Sequence, residues 1–436
     1  MSLPLDIHAN SVSPYPQGLG ITGTTEPTIS ADAHVANEGK SERHMLRRKS
    51  GQVLKRERVS KCGQRAIGGL VTLHHNEGHT HFGAVETCGS VWHCPVCAAK
   101  ISEGRRVEID AIMQGHREAG GVAFMATLTI PHRRFQNCAE LRRCVANSWR
   151  GVKSGKAWHR ARDAHGWIGD IRALEVTHGD NGWHPHLHIL IFFKPGTPQD
   201  VMYSFGGWLF DAWETAVHRA GFGRPRKSAF RFDQADCTSG AADYVSKWGA
   251  SLELTKAHTK RSKGGRTPWQ ILRDYAADGL ASDEALFAEY AYAFKGARQL
   301  TWSRSFKTAS GDIEPGIRQR YLTEDEVPDE ELAVEPQAEE TQVATLDRAL
   351  FHEISNRGAT ATVLSAHEAD GLDGVLRSLT RLGVPWRLSE IAGIERGRFV
   401  PLISLGLTRA SPETLPGTSR GQVPSYVNHC EKRRMQ

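Results

Sequence analysis

Three histidines at alternate positions, His184, His186 and His188, stand in "GWHPHLHILIFF" just ahead of an apolar block. In a β-strand alternate side chains share a face, so the three imidazoles point one way and Pro185, Leu187 and Ile189 the other. The apolar run predicts a strand buried on both sides. Imidazoles on such a strand are costly without a common partner, and a divalent metal is one that serves all of them. The competing reading is a row of surface histidines on a half-exposed strand. Pro185 has no N–H for a sheet ladder and marks the strand's first residues. His184 therefore sits at the mouth as an outer or optional ligand, and His186 and His188 form the metal pair. The third ligand is His184 or Glu175, which lies across a predicted hairpin in "ALEVTHG". A carboxylate suits Mg²⁺ or Mn²⁺, and the histidines tilt the choice toward Mn²⁺ or another transition metal.

A second candidate is "GAADYVSKWGA", where Tyr244 and Lys247 stand three apart and share one face of a predicted helix. A nearby ammonium favours the phenolate of a tyrosine, which makes Tyr244 a candidate nucleophile. A core tyrosine beside a surface lysine is the commoner fate of such a pair. The cysteines are the third candidate. Cys88 and the Cys94-x-x-Cys97 knuckle have zinc-ligand spacing. Cys62 completes a Cys₄ set, with His93, His79 or His81 as possible replacements for one member. Buried free thiols are the alternative, and they leave the close Cys94 and Cys97 pairing unexplained.

These residues need a scaffold. "GGVAFMATLTIPH", "IGDIRALEVTHG" and "HLHILIFF" read as strands, and "HGDNG" supplies turn chemistry for a hairpin between the last two. Apolar residues at three- and four-residue spacing predict helices at "CAELRRCVANSWRGVKSGKAWHRAR", "SFGGWLFDAWETAVHRAG", "GAADYVSKWGASLEL" and "SDEALFAEYAYAFKG". The fold class is α+β, with a central, mainly antiparallel sheet flanked by helices and a zinc-binding N-terminal element. Residues 1–45 are expected to be disordered and 46–320 to form the main domain. Residues 321–345 read as an acidic linker, and 346–436 as a small α/β region without visible chemistry. "HHNEGHTHFG" reads as a loop or as a source of a secondary zinc ligand. The basic stretch "RHMLRRKSGQVLKRERVSK" is a solvated helix or a DNA contact.

Taken together and in order, these motifs resemble the HUH endonucleases, and most closely the rolling-circle replication initiators of bacterial plasmids. "FMATLTIPH" is similar to their first motif, "HPHLHIL" to the metal-binding second and "YVSKW" to the third. "KGARQLTWSRSFK" is similar to their closing segment. The resemblance covers about residues 60–307 and implies an RRM-like nuclease fold. It further implies that His186, His188 and Glu175 or His184 hold Mn²⁺ or Mg²⁺, and that Tyr244 nicks single-stranded origin DNA with help from Lys247. The expected product is a 5′-phosphotyrosyl linkage and a 3′-hydroxyl primer, with a host helicase and DNA polymerase as partners. Position 248 is Trp and position 240 is Gly, so a single tyrosine is expected. A transposase or relaxase of the same chemistry is an alternative, although the order of motifs argues against both. A non-enzymatic zinc-containing DNA-binding regulator is the other.

Composition agrees with a polyanionic partner. The net charge is +6 across 436 residues, but residues 324–340 carry nine acids and no Lys or Arg, which leaves the rest at +15. Such an excess suits phosphate neutralisation. No apolar run approaches the roughly 20 residues that span a bilayer. The N-terminus lacks a basic segment followed by an apolar one, so a cytoplasmic protein is expected.

Overall fold

The turn at Asp180 and Asn181 folds two long strands onto each other. The computed structural model describes residues 31–76, 78–235, 265–303, 341–395 and 398–407. In it β4 (Trp167–Gly179) pairs antiparallel with β5 (Gly182–Phe193), with Gly179 opposite Gly182. Gly182 has φ +83°, and a Cβ there would stand 2.6 Å from the carbonyl oxygen of Arg134. Turn conformation and close approach both require glycine at this position. β3 (Val122–Leu128) lies on the other side of β5, β6 (Arg231–Gln234) against β3, and β7 (Leu300–Trp302) against β4. The order is β6-β3-β5-β4-β7, and every pairing is antiparallel.

β5 is central, and from Leu187 to Phe193 every residue is buried. Leu187, Ile189, Ile191 and Phe193 pack on α3 (Cys138–Val152) and α5 (Gln199–Arg219) through Leu141, Val145, Phe205 and Leu209. On the opposite face Leu190 and Phe192 meet Ile109, Ile112 and Met113 of α2 (Pro95–Glu118). Cover on both faces explains the unbroken apolar run. Pro185 faces Val176 of β4, beyond the end of the β3 ladder at Leu128 and Leu187, so its missing N–H breaks no bond to β3.

The helical stretch expected after Asn137 divides into α3 and α4 (Gly155–Ala164), with a left-handed Gly155 at the break. α6 (Pro268–Asp278) and α7 (Ala281–Phe294) join the same core through Ile271, Phe287 and Phe294. α1 (Ala31–Val53) corrects the expectation of disorder through residue 45. The Ser- and Pro-rich character ends before Ala31, helix-forming residues follow, and Leu46 anchors the helix in the main core. The basic stretch is therefore not a purely solvated face, since Arg47 is buried and Glu42 pairs with Arg273.

A second sheet has the order β2-β1-β8-β10-β9. Its strands are β1 (Leu70–Asn76), β2 (His79–Gly83), β8 (Thr341–Asp347), β9 (Trp386–Glu395) and β10 (Arg398–Leu407). Only the β8–β10 pair is parallel among the described residues. α8 (Arg348–Asn356) and α9 (Thr360–Arg381) cover it, packing Phe351, Ile354, Val363 and Leu379 on Val71, Leu73, Ala344 and Leu346. Strands from residues 70–83 thus share a sheet with strands from beyond residue 341. β8 opens inside the stretch expected as linker, because "TQVATLD" carries apolar and β-branched residues that the acidic run lacks. His79 and His81 lie on β2 and not in a loop. Residues 1–30, 324–340 and 240–254 of the other expectations fall outside the described residues. The fold is α+β with mainly antiparallel sheets flanked by helices. No helix among the described residues is long and apolar enough to cross a membrane.

Candidate functional site

The β4–β5 register sets Glu175 directly opposite His186 and places His188 one alternation further along the same face. Glu175 Oε2 lies 3.3 Å from His186 Nε2 and 3.5 Å from His188 Nε2. Two ligand atoms on one small cation at about 2.1 Å each would stand roughly 3.0–3.5 Å apart, and the two separations agree with that. The ring orientations agree as well. His186 Nδ1 is 3.1 Å from the carbonyl oxygen of His184, so its Nδ1–H donates there and Nε2 faces Glu175. His188 Nδ1 is held 3.0 Å from Thr127 Oγ1 on β3, directly across the ladder. Both rings turn Nε2 toward the same carboxylate oxygen, an arrangement that could hold a cation.

Burial pushes the Glu175 carboxyl up, but hydrogen bonds from His186 and His188 and their charge outweigh it and hold it at about 2. The carboxylate is thus ionised at neutral pH. His184 is not in the triad. Its Nδ1 is 3.3 Å from His132 Nδ1 and its ring stacks on His186 at 5.2 Å, so of the two candidates for third ligand it is Glu175 that meets the pair. The site lies on the β5 face next to the stretch that packs on α2. Further along, the same face carries Leu190 and Phe192.

Cys62, Cys88, Cys94 and Cys97 converge and are all buried. The Cys62–Cys94, Cys62–Cys97 and Cys88–Cys97 sulfur separations are 3.7, 3.6 and 3.6 Å. A disulfide needs about 2.05 Å, whereas four thiolates at about 2.3 Å from one tetrahedral ion stand on the order of 3.8 Å apart. Cys94 also caps α2, its sulfur accepting from the Cys97 N–H at 3.4 Å. Burial pushes the Cys94 thiol up, while hydrogen bonds from its three neighbours pull Cys97 down. Of the histidines offered as replacements, His93 Nε2 bonds the Ala291 carbonyl at 3.0 Å, and His79 and His81 are on β2. Cys62 is the fourth member.

Tyr244 and Lys247 lie outside the described residues. Thr127 and His132 were not singled out from the sequence. Their signal was present in "TLTIPH", whose strand places Thr127 on the histidine face and whose loop returns past His184.

Comparison with known proteins bears on this region. Residues 81–208 match the family model described as "Replication protein". These residues are similar to a replication-protein domain. The matched segment contains Glu175, His186, His188 and three of the four cysteines, and it ends before Tyr244. Over 291 residues the chain is 27% identical to "Protein rep" of Streptomyces lividans, covering 51% of this chain and 63% of that protein. Over 129 residues it is 30% identical to a "Neomycin resistance protein" of Streptomyces cyanogenus, covering 24% and 30% respectively. The chain thus spans less than two thirds of the length of either curated relative. No solved structure matches it.

Proposed function

We propose that the chain is a rolling-circle plasmid replication initiator that nicks and rejoins one strand of origin DNA. The observation that carries this reading is the Glu175–His186–His188 triad within the segment that matches the replication-protein family. A divalent cation bound there, Mn²⁺ or Mg²⁺, supplies Lewis-acid polarisation of a phosphate. Glu175, His186 and His188 orient it, with Thr127 and the His184 carbonyl fixing the two rings. The phenolate oxygen of Tyr244 attacks the scissile phosphorus in line and forms a P–O bond. The P–O3′ bond breaks, and the departing oxygen takes a proton to become the 3′-hydroxyl primer. Lys247 offsets charge on the phenolate before attack and on the phosphate during it. Attack of a 3′-hydroxyl on the phosphotyrosine reverses these steps and rejoins the strand. The four cysteines hold a structural zinc, and a cytoplasmic protein working with a host helicase and polymerase completes the reading.

The test uses end-labelled single-stranded oligonucleotides tiled across the DNA flanking the gene, incubated with protein and Mn²⁺ and run on a denaturing gel. A covalent adduct with wild type and none with Tyr244→Phe is expected. An adduct that persists in Tyr244→Phe removes Tyr244 as nucleophile. No adduct on any cognate strand favours a zinc-containing DNA-binding regulator.

A further inference from the structure

The loop between β3 and α3, "TIPHRRFQN" over residues 129–137, has two arginines, an aromatic residue and no acid. Phe135 at its tip is 92% exposed. Among the described residues the next large apolar side chain, Tyr292, is 54% exposed. An aromatic ring left almost wholly in water at a mobile tip would mean little. This tip is fixed. The Arg133 N–H donates to Gln136 Oε1 at 2.7 Å and the Gln136 N–H donates to the Arg133 carbonyl at 3.0 Å, closing a turn with Arg134 and Phe135 at its crest. Trp213 Nε1 donates to the Thr129 carbonyl at 2.7 Å, and Asn137 caps α3, so both ends are anchored.

The loop is also joined to the metal strand at two points. The Arg134 backbone lies against Gly182, which has no Cβ to hold it off, and His132 meets His184 with ring centroids 4.7 Å apart. His184 stacks on His186, so an unbroken row of rings leads from the loop to the triad. Phe135 is three residues from His132, a span of no more than about 11 Å. Arg133 and Arg134 are exposed, and the Arg134 guanidinium lies 5.7 Å from the centre of the Phe135 ring.

We infer that this loop is the single-stranded DNA platform of the site: Phe135 stacks on an unpaired base next to the scissile phosphate, and Arg133 and Arg134 hold the flanking phosphates. The inference rests on the DNA-nicking reading above. A rigid aromatic face beside cationic side chains is an arrangement that binds unpaired bases without demanding a sequence. A base within a duplex has no free face to offer it.

The test measures the affinity of full-length protein for fluorescein-labelled single-stranded origin oligonucleotide by anisotropy, with EDTA present so that no strand is cut. Phe135→Ala should bind about 10- to 100-fold more weakly. Phe135→Trp should bind at least as well as wild type, and Phe135→Leu as weakly as the alanine variant, which separates a π face from mere apolarity. Arg133→Ala with Arg134→Ala should lower the slope of log K against log salt by about 1.4, or 0.7 for each lost phosphate contact. Melting temperatures should not change, because Phe135 buries almost nothing. Phe135→Ala binding at wild-type strength overturns the platform, and if wild type still forms the Tyr244 adduct, the nicking reading stands without it. Wild type that neither binds single strands nor forms an adduct overturns both.

Discussion

Replacing Thr127 by Val isolates the hydrogen bond that aims His188. The two side chains have nearly the same shape, so the packing of β3 on β5 is kept while the 3.0 Å contact from Thr127 Oγ1 to His188 Nδ1 is lost. The His188 ring is mostly buried and meets His186 edge-on at 5.0 Å, so Nδ1 is left facing a methyl group. Loss of an outer partner of a ligating histidine lowers metal affinity about 10- to 100-fold, or roughly 1.4–2.8 kcal/mol. Stability of the metal-free protein should fall by about 0.5–1.5 kcal/mol for the hydrogen bond lost. Mn²⁺ titration of zinc-loaded protein, followed by the electron paramagnetic resonance of free Mn²⁺, reads the first quantity, and urea unfolding reads the second. Thr127→Ser keeps the hydroxyl and should bind within a few-fold of wild type. If Thr127→Val binds Mn²⁺ as tightly as wild type while His186→Ala abolishes binding, Thr127 does not orient the ring and the account of this site is wrong at that point.

Three further perturbations test the frame. Gly182→Ala forces a left-handed alanine into the Arg134 carbonyl and should cost at least about 1–3 kcal/mol in denaturant melts; an unchanged midpoint would show that the loop can retreat freely. Lys153 holds the buried Asp170 carboxylate and lies 5.1–5.5 Å from the ring centres of Trp149, Trp158 and Trp167. Lys153→Met should therefore cost about 3–5 kcal/mol, with most of it recovered when Asp170→Asn is added, and a double variant no better than the single would deny the pairing. Cys97→Ser should lower bound zinc, assayed by metal analysis, below one ion per chain and reduce the melting temperature. Full occupancy with wild-type melting would mean that the four sulfurs are not the ligand set.

The central sheet was legible because its signals are local. Period-two histidines, a turn sequence and an apolar run fix β4, β5 and their register, and the register delivers Glu175 to His186 without further information. The third-ligand question was not local. Choosing between His184 and Glu175 depends on where the Arg133–Gln136 turn brings His132, whose Nδ1 lies 3.3 Å from that of His184. The second sheet was illegible for a related reason. β1 and β8 are separated by more than 250 residues, and nothing in "LVTLHHN" says which distant strand will complete it. Exposure was hidden too, since nothing in "RRFQN" says that the turn will lift Phe135 into solvent.

The cysteine cluster bears on the triad without touching it. Cys94 begins α2, whose Ile109, Ile112 and Met113 pack on the apolar half of the β5 face that also carries the histidines. The knuckle residues Trp92 and His93 bond the carbonyls of Ala297 and Ala291, at and beyond the end of α7. From there the chain runs through Gln299, whose side chain accepts from Arg105 of α2 and whose carbonyl accepts the Leu174 N–H beside Glu175. It then forms β7 on the edge of β4. One cluster therefore fixes the helix that bounds the site and the segment that braces Glu175. A four-sulfur ion bound there would have no open position for chemistry, and it would act on the triad only through the helix and the segment that pack around Glu175, His186 and His188.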